Sequence, residues 1–239
     1  MASRSLDPAA VARTIETLCR RVEKRFPDSG LARVCGELDR VARRTAATVA
    51  WIERPILPLR VATVLLAALM VAGLVVSVAA LRPAARPVSV TELVQGLESG
   101  INDLLFVGAA IFFLVTIESR IKRRRALRAI HELRAIAHVI DMHQLTKDPE
   151  WVLDRGRETG VLQPRTLSRF ELSRYLDYCS EALSLTGKVA ALYIEGFQDP
   201  VALQAVNEVE DLTTGLSRKI WQKLMILYAI GEEPSPPAA

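Results

Sequence analysis

Between Arg60 and Arg82 lie 21 residues without a charged side chain, VATVLLAALMVAGLVVSVAAL. As a helix this run is roughly 31 Å long, enough to cross the hydrocarbon core of a bilayer. It has no polar face to turn toward water, and a buried helix of a soluble protein with this length and no charge would be unusual. The run is therefore read as a membrane span, and it constrains everything around it.

A second apolar run is shorter. Only 14 residues, Leu104 to Ile117, separate Asp103 from Glu118, roughly 21 Å of helix. Alone, that length fits a core or re-entrant helix equally well. Three features make it the second span. It follows the first, it is dense in Phe106, Ile111, Phe112, Phe113 and Leu114, and a basic collar of Arg120, Lys122, Arg123, Arg124 and Arg125 follows at once. Long basic side chains snorkel to headgroups, and Glu118 stands four residues before Lys122, the spacing of a helical ion pair. Beyond the collar, Leu127, Ile130, Leu133, Ala137 and Ile140 recur at three and four. The second span is thus expected to continue as a long cytoplasmic helix, the spine of a domain.

Charge orients this arrangement. The formal +4 is unevenly spread: residues 1–60 carry 12 Lys/Arg against 7 Asp/Glu, whereas residues 126–239 carry 12 against 16. Positive charge lies beside the apolar runs and the distal domain is mildly acidic. That pattern places both termini on the cytoplasmic side and is the footprint of a membrane face. Nucleic-acid binding would instead put a basic stripe on the folded domain, so no nucleic acid is expected as a partner. The Ala- and Arg-rich wording suggests a bacterial source and hence an inner membrane. No secretory signal is expected, because the first apolar run begins only after position 55. Cys19, Cys35 and Cys179 are far apart in sequence with no CxxC, and read as reduced, structural thiols.

Half the residues of the whole sequence are hydrophobic and 5% aromatic, a composition suited to packed helices, and the remaining chain reads as helical with no alternating strand pattern. Asp7-Pro8 is a helix start, and Val11, Ile15, Leu18, Val22 and Phe26 form one stripe ended by Pro27. A second helix is expected over residues 29–53, with Leu31, Val34, Leu38, Val41 and Val49 on one side. This pair docks on the cytoplasmic domain or lies on anionic lipid, and docking is favoured because acidic residues interrupt its basic face. Thr91 reads as the cap of a short helix on Glu92–Leu97, and Gly96-x-x-x-Gly100 lies outside the apolar core. Thr146 to Pro149 ends the spine, and residues 150–165 read as a short helix and linker. Ser168 and Glu171 have the spacing of a capping box. The helix they open is expected to kink near Gly187 and end at Gly196. Asp199-Pro200 opens the last helix, which reaches about Ile230.

The fold class is therefore all-α: a two-span transmembrane hairpin with a cytoplasmic helical bundle. The segments are an N-terminal amphipathic pair (1–58), span one (59–81), an extracytoplasmic loop (82–102), span two (103–121), a cytoplasmic domain (122–231) and a disordered tail (232–239).

Chemistry is sparse. His131, Arg134, His138 and Asp141 share one helix face at spacings of three, four and three. The last helix offers Asn207, Glu210, Asp211, Thr214 and Arg218. If the faces met, His138, Asp141, Glu210 and Asp211 could enclose a divalent metal, with His131, Arg134, Asn207 and Arg218 as a polar ligand face. The competing structural expectation is two solvated faces, or an interhelical pair such as Asp141–Arg218, with His143 helping to close its helix. Asn102, Asp103 and Glu118 flank the second span and read as anchors. No Walker loop, GxGxxG, GxSxG or HExxH occurs, so no enzyme and no obligatory cofactor are expected. The function expected is a membrane-anchored interaction, sensing or scaffold module that self-associates and engages the bilayer and a cytoplasmic protein. The alternatives are a metal- or small-ligand-binding protein and an oligomeric channel or transporter subunit.

Overall fold

The computed structural model describes residues 6–80, 90–147 and 167–229. Among them there is no strand, and six helices follow in order: α1 (Pro8–Arg25), α2 (Gly30–Glu53), α3 (Leu57–Ala80), α4 (Val90–Leu145), α5 (Arg169–Glu195) and α6 (Pro200–Ala229). They belong to two compact units, and the division falls inside α4, between Arg124 and Arg125. One unit joins the chain up to Glu53 with the chain from Arg125 onward, and the other is Arg54–Arg124.

The first unit is a helical bundle. The Asp7 carboxylate accepts from the Ala9 N–H at 2.9 Å and Pro8 follows it, so α1 starts where its free amides are satisfied. After Phe26 the chain turns through Asp28, whose φ of 59° is one that Asp tolerates better than most side chains. The Ser29 hydroxyl then accepts from the Ala32 N–H at 3.1 Å and opens α2. At α5 both halves of the capping box are present: the Ser168 hydroxyl accepts from the Glu171 N–H, and Glu171 accepts from the Ser168 N–H at 2.9 Å. Asp199 accepts from the Val201 and Ala202 N–H groups at the start of α6.

α5 packs along α6, α1 packs on α2, and both of that pair rest on α5. Of the two placements expected for the N-terminal pair, the structure has the docked one. α5 buries residues around most of its circumference, from Leu172 to Tyr193, as a helix with neighbours on several sides must. α5 runs unbroken through Gly187, near which a kink was expected. Gly187 instead permits close packing, since a Cβ there would sit 3.2 Å from the Thr213 hydroxyl of α6. α4 contributes Ala126, Ile130, Leu133, Ile136, Ala137 and Ile140 to the same core, with Leu127 only half-buried beside them. Buried hydroxyls are paired: Thr45 donates to the Val41 carbonyl at 2.9 Å and meets the Tyr193 hydroxyl at 3.1 Å.

The second unit holds α3 and the N-terminal part of α4. Two helical segments are long and apolar enough to cross a membrane; their most apolar windows have mean hydropathies of 2.1 and 2.0 and are not buried. Phe106 is 77% exposed and Phe112 73%. Half-buried positions fall on one stripe of α3 (Leu59, Thr63, Leu66, Ala67, Met70) and one of α4 (Val107, Ala110, Ile111, Leu114, Glu118). α4 is longer than expected. Residues 90–102, read above as loop with a separate short helix, are its first turns, and neither Gly96 nor Gly100 interrupts them. The segments expected as linker (150–165) and tail (232–239), and residues 82–89 of the expected loop, lie outside the described residues.

Candidate functional site

Polar chemistry in the second unit converges on Glu118. At the start of α3, Pro55 and Pro58 lack N–H groups, and the Ile56 N–H between them needs an acceptor. Glu118 of α4 supplies it at 3.3 Å. The same carboxylate lies 3.0 Å from the Lys122 ammonium and 3.4 Å from the Arg60 guanidinium. The spacing-based pair Glu118–Lys122 is therefore present. It does more than anchor a span end, since it ties the first turn of α3 to α4. Its side chains are only 15% and 10% exposed, and a charge so enclosed is stable only when paired. The collar is thus not uniform: Lys122 turns inward, while Arg120, Arg124 and Arg125 are exposed and Arg123 is half-buried. Within the bundle, the Arg125 guanidinium stands over the Trp51 ring at 4.3 Å.

The face proposed from sequence for a metal does not assemble. His131, Arg134 and His138 are exposed on α4, as are Asn207, Glu210, Asp211 and Arg218 on α6. Asp141 is half-buried and accepts from the Gln144 amide at 2.7 Å. Among the described residues no three His, Cys, Asp or Glu side chains converge closely enough to hold one ion. The reason is packing: Ile136, Ala137 and Ile140 of α4 and Val206 and Val209 of α6 take the inner faces, which turns the carboxylates and imidazoles outward. The ion pair that does join these helices is Arg134–Glu208 at 3.0 Å, not Asp141–Arg218. Near the end of α4, Lys223 donates to the Gln144 carbonyl at 2.9 Å and to that of Lys147 at 3.3 Å. His143 also serves that end: its carbonyl accepts from the Thr146 hydroxyl at 3.0 Å. Its ring lies against Gly30, where any Cβ would collide with it. Burial, then Arg33 and Lys147, hold the His143 pKa below its ordinary value.

Two arrangements were not visible in the sequence. A groove of about 530 Å³ runs between α1, α5 and α6, with an apolar floor of Leu185, Ile220 and Leu224 and a polar rim including Asp177, Glu181 and Lys188. Trp221, which reads as a core or interface residue, stands on its wall 62% exposed. With Met225 and Tyr228 it forms an exposed stripe at spacings of four and three. That stripe sits one residue out of register with the buried Ile220, Leu224 and Leu227, and this offset was the available signal. The rim is braced by Arg21, whose two terminal nitrogens reach the two Glu181 oxygens at 3.1 and 2.8 Å.

The second arrangement is the cysteines. Sequence distance suggested separate thiols, yet Cys19 of α1 donates to the Cys35 carbonyl of α2 at 3.0 Å. All three cysteines are free; Cys35 and Cys179 are buried and Cys19 is half-buried. Cys35 lowers the pKa of Cys19; Cys19, and then burial, push that of Cys35 up, and burial does the same for Cys179.

No protein-family model, no curated protein and no solved structure matches the chain.

Proposed function

We propose that this protein is a membrane-anchored, non-enzymatic interaction or sensing module. In this reading α3 and the apolar part of α4 cross a bacterial inner membrane as a hairpin with both termini cytoplasmic. The bundle is the cytoplasmic domain, and the protein self-associates or engages a cytoplasmic partner through it. One observation carries the reading. α4 is a single helix of 56 residues whose apolar window is unburied, yet whose last turns supply Ile130, Leu133 and Ile140 to a packed core. An unburied apolar helix is at home in lipid, where its side chains lose contact with water. The basic collar supports the orientation, since Lys/Arg flanks remain on the cytoplasmic side.

The test is the mass of the intact assembly purified in mild detergent. The reading expects more than one chain per particle, or a co-purifying protein at fixed ratio. Ala129→Pro, which removes a helical hydrogen bond within the spine, should disperse that assembly while leaving the chain in the membrane fraction. A bare monomer, or an assembly indifferent to Ala129→Pro, would contradict the proposal.

A further inference from the structure

We propose that Cys19 and Cys35 form a dithiol oxidisable by peroxide, which closes reversibly to a disulfide across the α1–α2 hairpin. This inference is independent of the membrane reading. Cys19 lies seven residues before Phe26, and Cys35 lies six residues after Ser29. The two helices leave the turn between those residues antiparallel, so nearly equal distances from it bring the two cysteines to the same level of the hairpin. The 3.0 Å contact from the Cys19 sulfur to the Cys35 carbonyl shows the result. A disulfide needs Cα atoms roughly 4.4–6.8 Å apart, so closure requires α1 and α2 to meet at these two positions.

The two thiols differ in a way that assigns their roles. Cys19 is the more accessible, and its neighbours are the Arg43 guanidinium, which favours the thiolate, and the Asp39 carboxylate, which opposes it. Cys35 favours the Cys19 thiolate most of all. Cys35 is enclosed and stays protonated until its partner reacts. Cys179 on α5 is fully buried and held as a thiol, which leaves it outside the pair.

With hydrogen peroxide the steps balance. The Cys19 thiolate attacks one peroxide oxygen; the S–O bond forms, the O–O bond breaks, and hydroxide leaves as water with the proton lost by Cys19. Cys35 then attacks the sulfenic sulfur; the S–S bond forms, the S–O bond breaks, and the departing hydroxide takes the Cys35 proton as a second water. Two thiols lose two electrons and two protons, and peroxide is reduced to two waters.

The test uses the full chain in detergent, exposed to hydrogen peroxide, alkylated under denaturing conditions and mapped by peptide mass. The expected product is a linked peptide pair containing Cys19 and Cys35, lighter by two hydrogens and restored by dithiothreitol, with Cys179 alkylated throughout. In Cys35→Ala, Cys19 should proceed to sulfinic acid, and in Cys19→Ala, oxidation of Cys35 should slow by about tenfold or more, as expected of a buried thiol. The mapping of the unsubstituted chain stands even if a variant folds poorly. Three intact thiols after excess peroxide, a bridge to Cys179, or sulfinic Cys19 without a disulfide in the unsubstituted chain would overturn the proposal.

Discussion

α1 and α3 use the same backbone and opposite logic. In α1 the apolar residues Val11, Ile15, Leu18 and Val22 occupy one side and are buried against protein, while Arg13, Arg20 and Lys24 occupy the others. In α3 the apolar residues go all the way round, and Val61, Val64, Leu65, Leu69 and Val76 are exposed. The same contrast separates the halves of α4. Phe106 and Phe112 face outward, whereas Ile130, Leu133 and Ile140, at helical spacing, are wholly buried. The lesson is that the bundle supplies its own apolar interior, whereas the apolar side chains of α3 and of the first half of α4 are left largely uncovered.

That contrast can be broken most sharply with matched alanines. Leu183 is fully buried, so Leu183→Ala should cost about 2–5 kcal/mol of bundle stability by lost transfer energy and a residual cavity. Leu65→Ala, at a residue 65% exposed, should leave the chemical-denaturation midpoint of the bundle unchanged. Equal losses would erase the distinction. Next in size is Leu65→Arg. A charge in the middle of a span raises insertion free energy by about 2.5–3.5 kcal/mol, so the membrane-extracted fraction should fall. Arg placed at the exposed Gln204 of α6 should not alter it.

Glu118→Gln sharpens the comparison at the entrance to the hairpin. It leaves Lys122 and Arg60 without their shared carboxylate, and a loss of about 1–3 kcal/mol is expected for a charged hydrogen bond. Thermal melting in detergent measures it, and Lys122→Gln should soften the effect when combined with it. The smallest effect is at His143. Its folded-state pKa lies below the ordinary value, so the folded protein favours the neutral ring. The corresponding stability is full above the unfolded-state pKa of about 6.5 and is lost as pH falls below it. Urea midpoints of the wild type and His143→Gln should therefore diverge with pH, the wild type losing more on acidification.

Much of this was readable from sequence for physical reasons that are local. Asp7-Pro8, Ser168 with Glu171, and Asp199-Pro200 each satisfy amides within a turn, so the caps they spell are the caps found. Spacings of three and four marked the buried stripes of α1 and α2 almost residue by residue. Failures came where the deciding contact is distant. Near Gly187, where a kink was expected, Thr213 lies across from the glycine and the helix continues. Glu92–Leu97, read as a short helix of its own within a loop, is continuous with α4. The nearness of Cys19 to Cys35 depends on the turn between α1 and α2, and the divergence of His138 from Glu210 depends on which faces Ile136 and Val206 claim. Polar spacing along one helix shows what shares a face, never what that face meets.

The central claim, that the hairpin lies in lipid, is tested most directly by a spin label at residue 65 in lipid vesicles. The label would be carried by Leu65→Cys in a chain whose native cysteines are replaced, with Gln204→Cys as the bundle reference. Lipid surroundings predict a label at 65 that collides freely with oxygen and little with a water-soluble nickel chelate, the reverse of the label at 204. A label at 65 reached by the chelate as readily as at 204, or shielded from both reagents inside protein, would contradict the account.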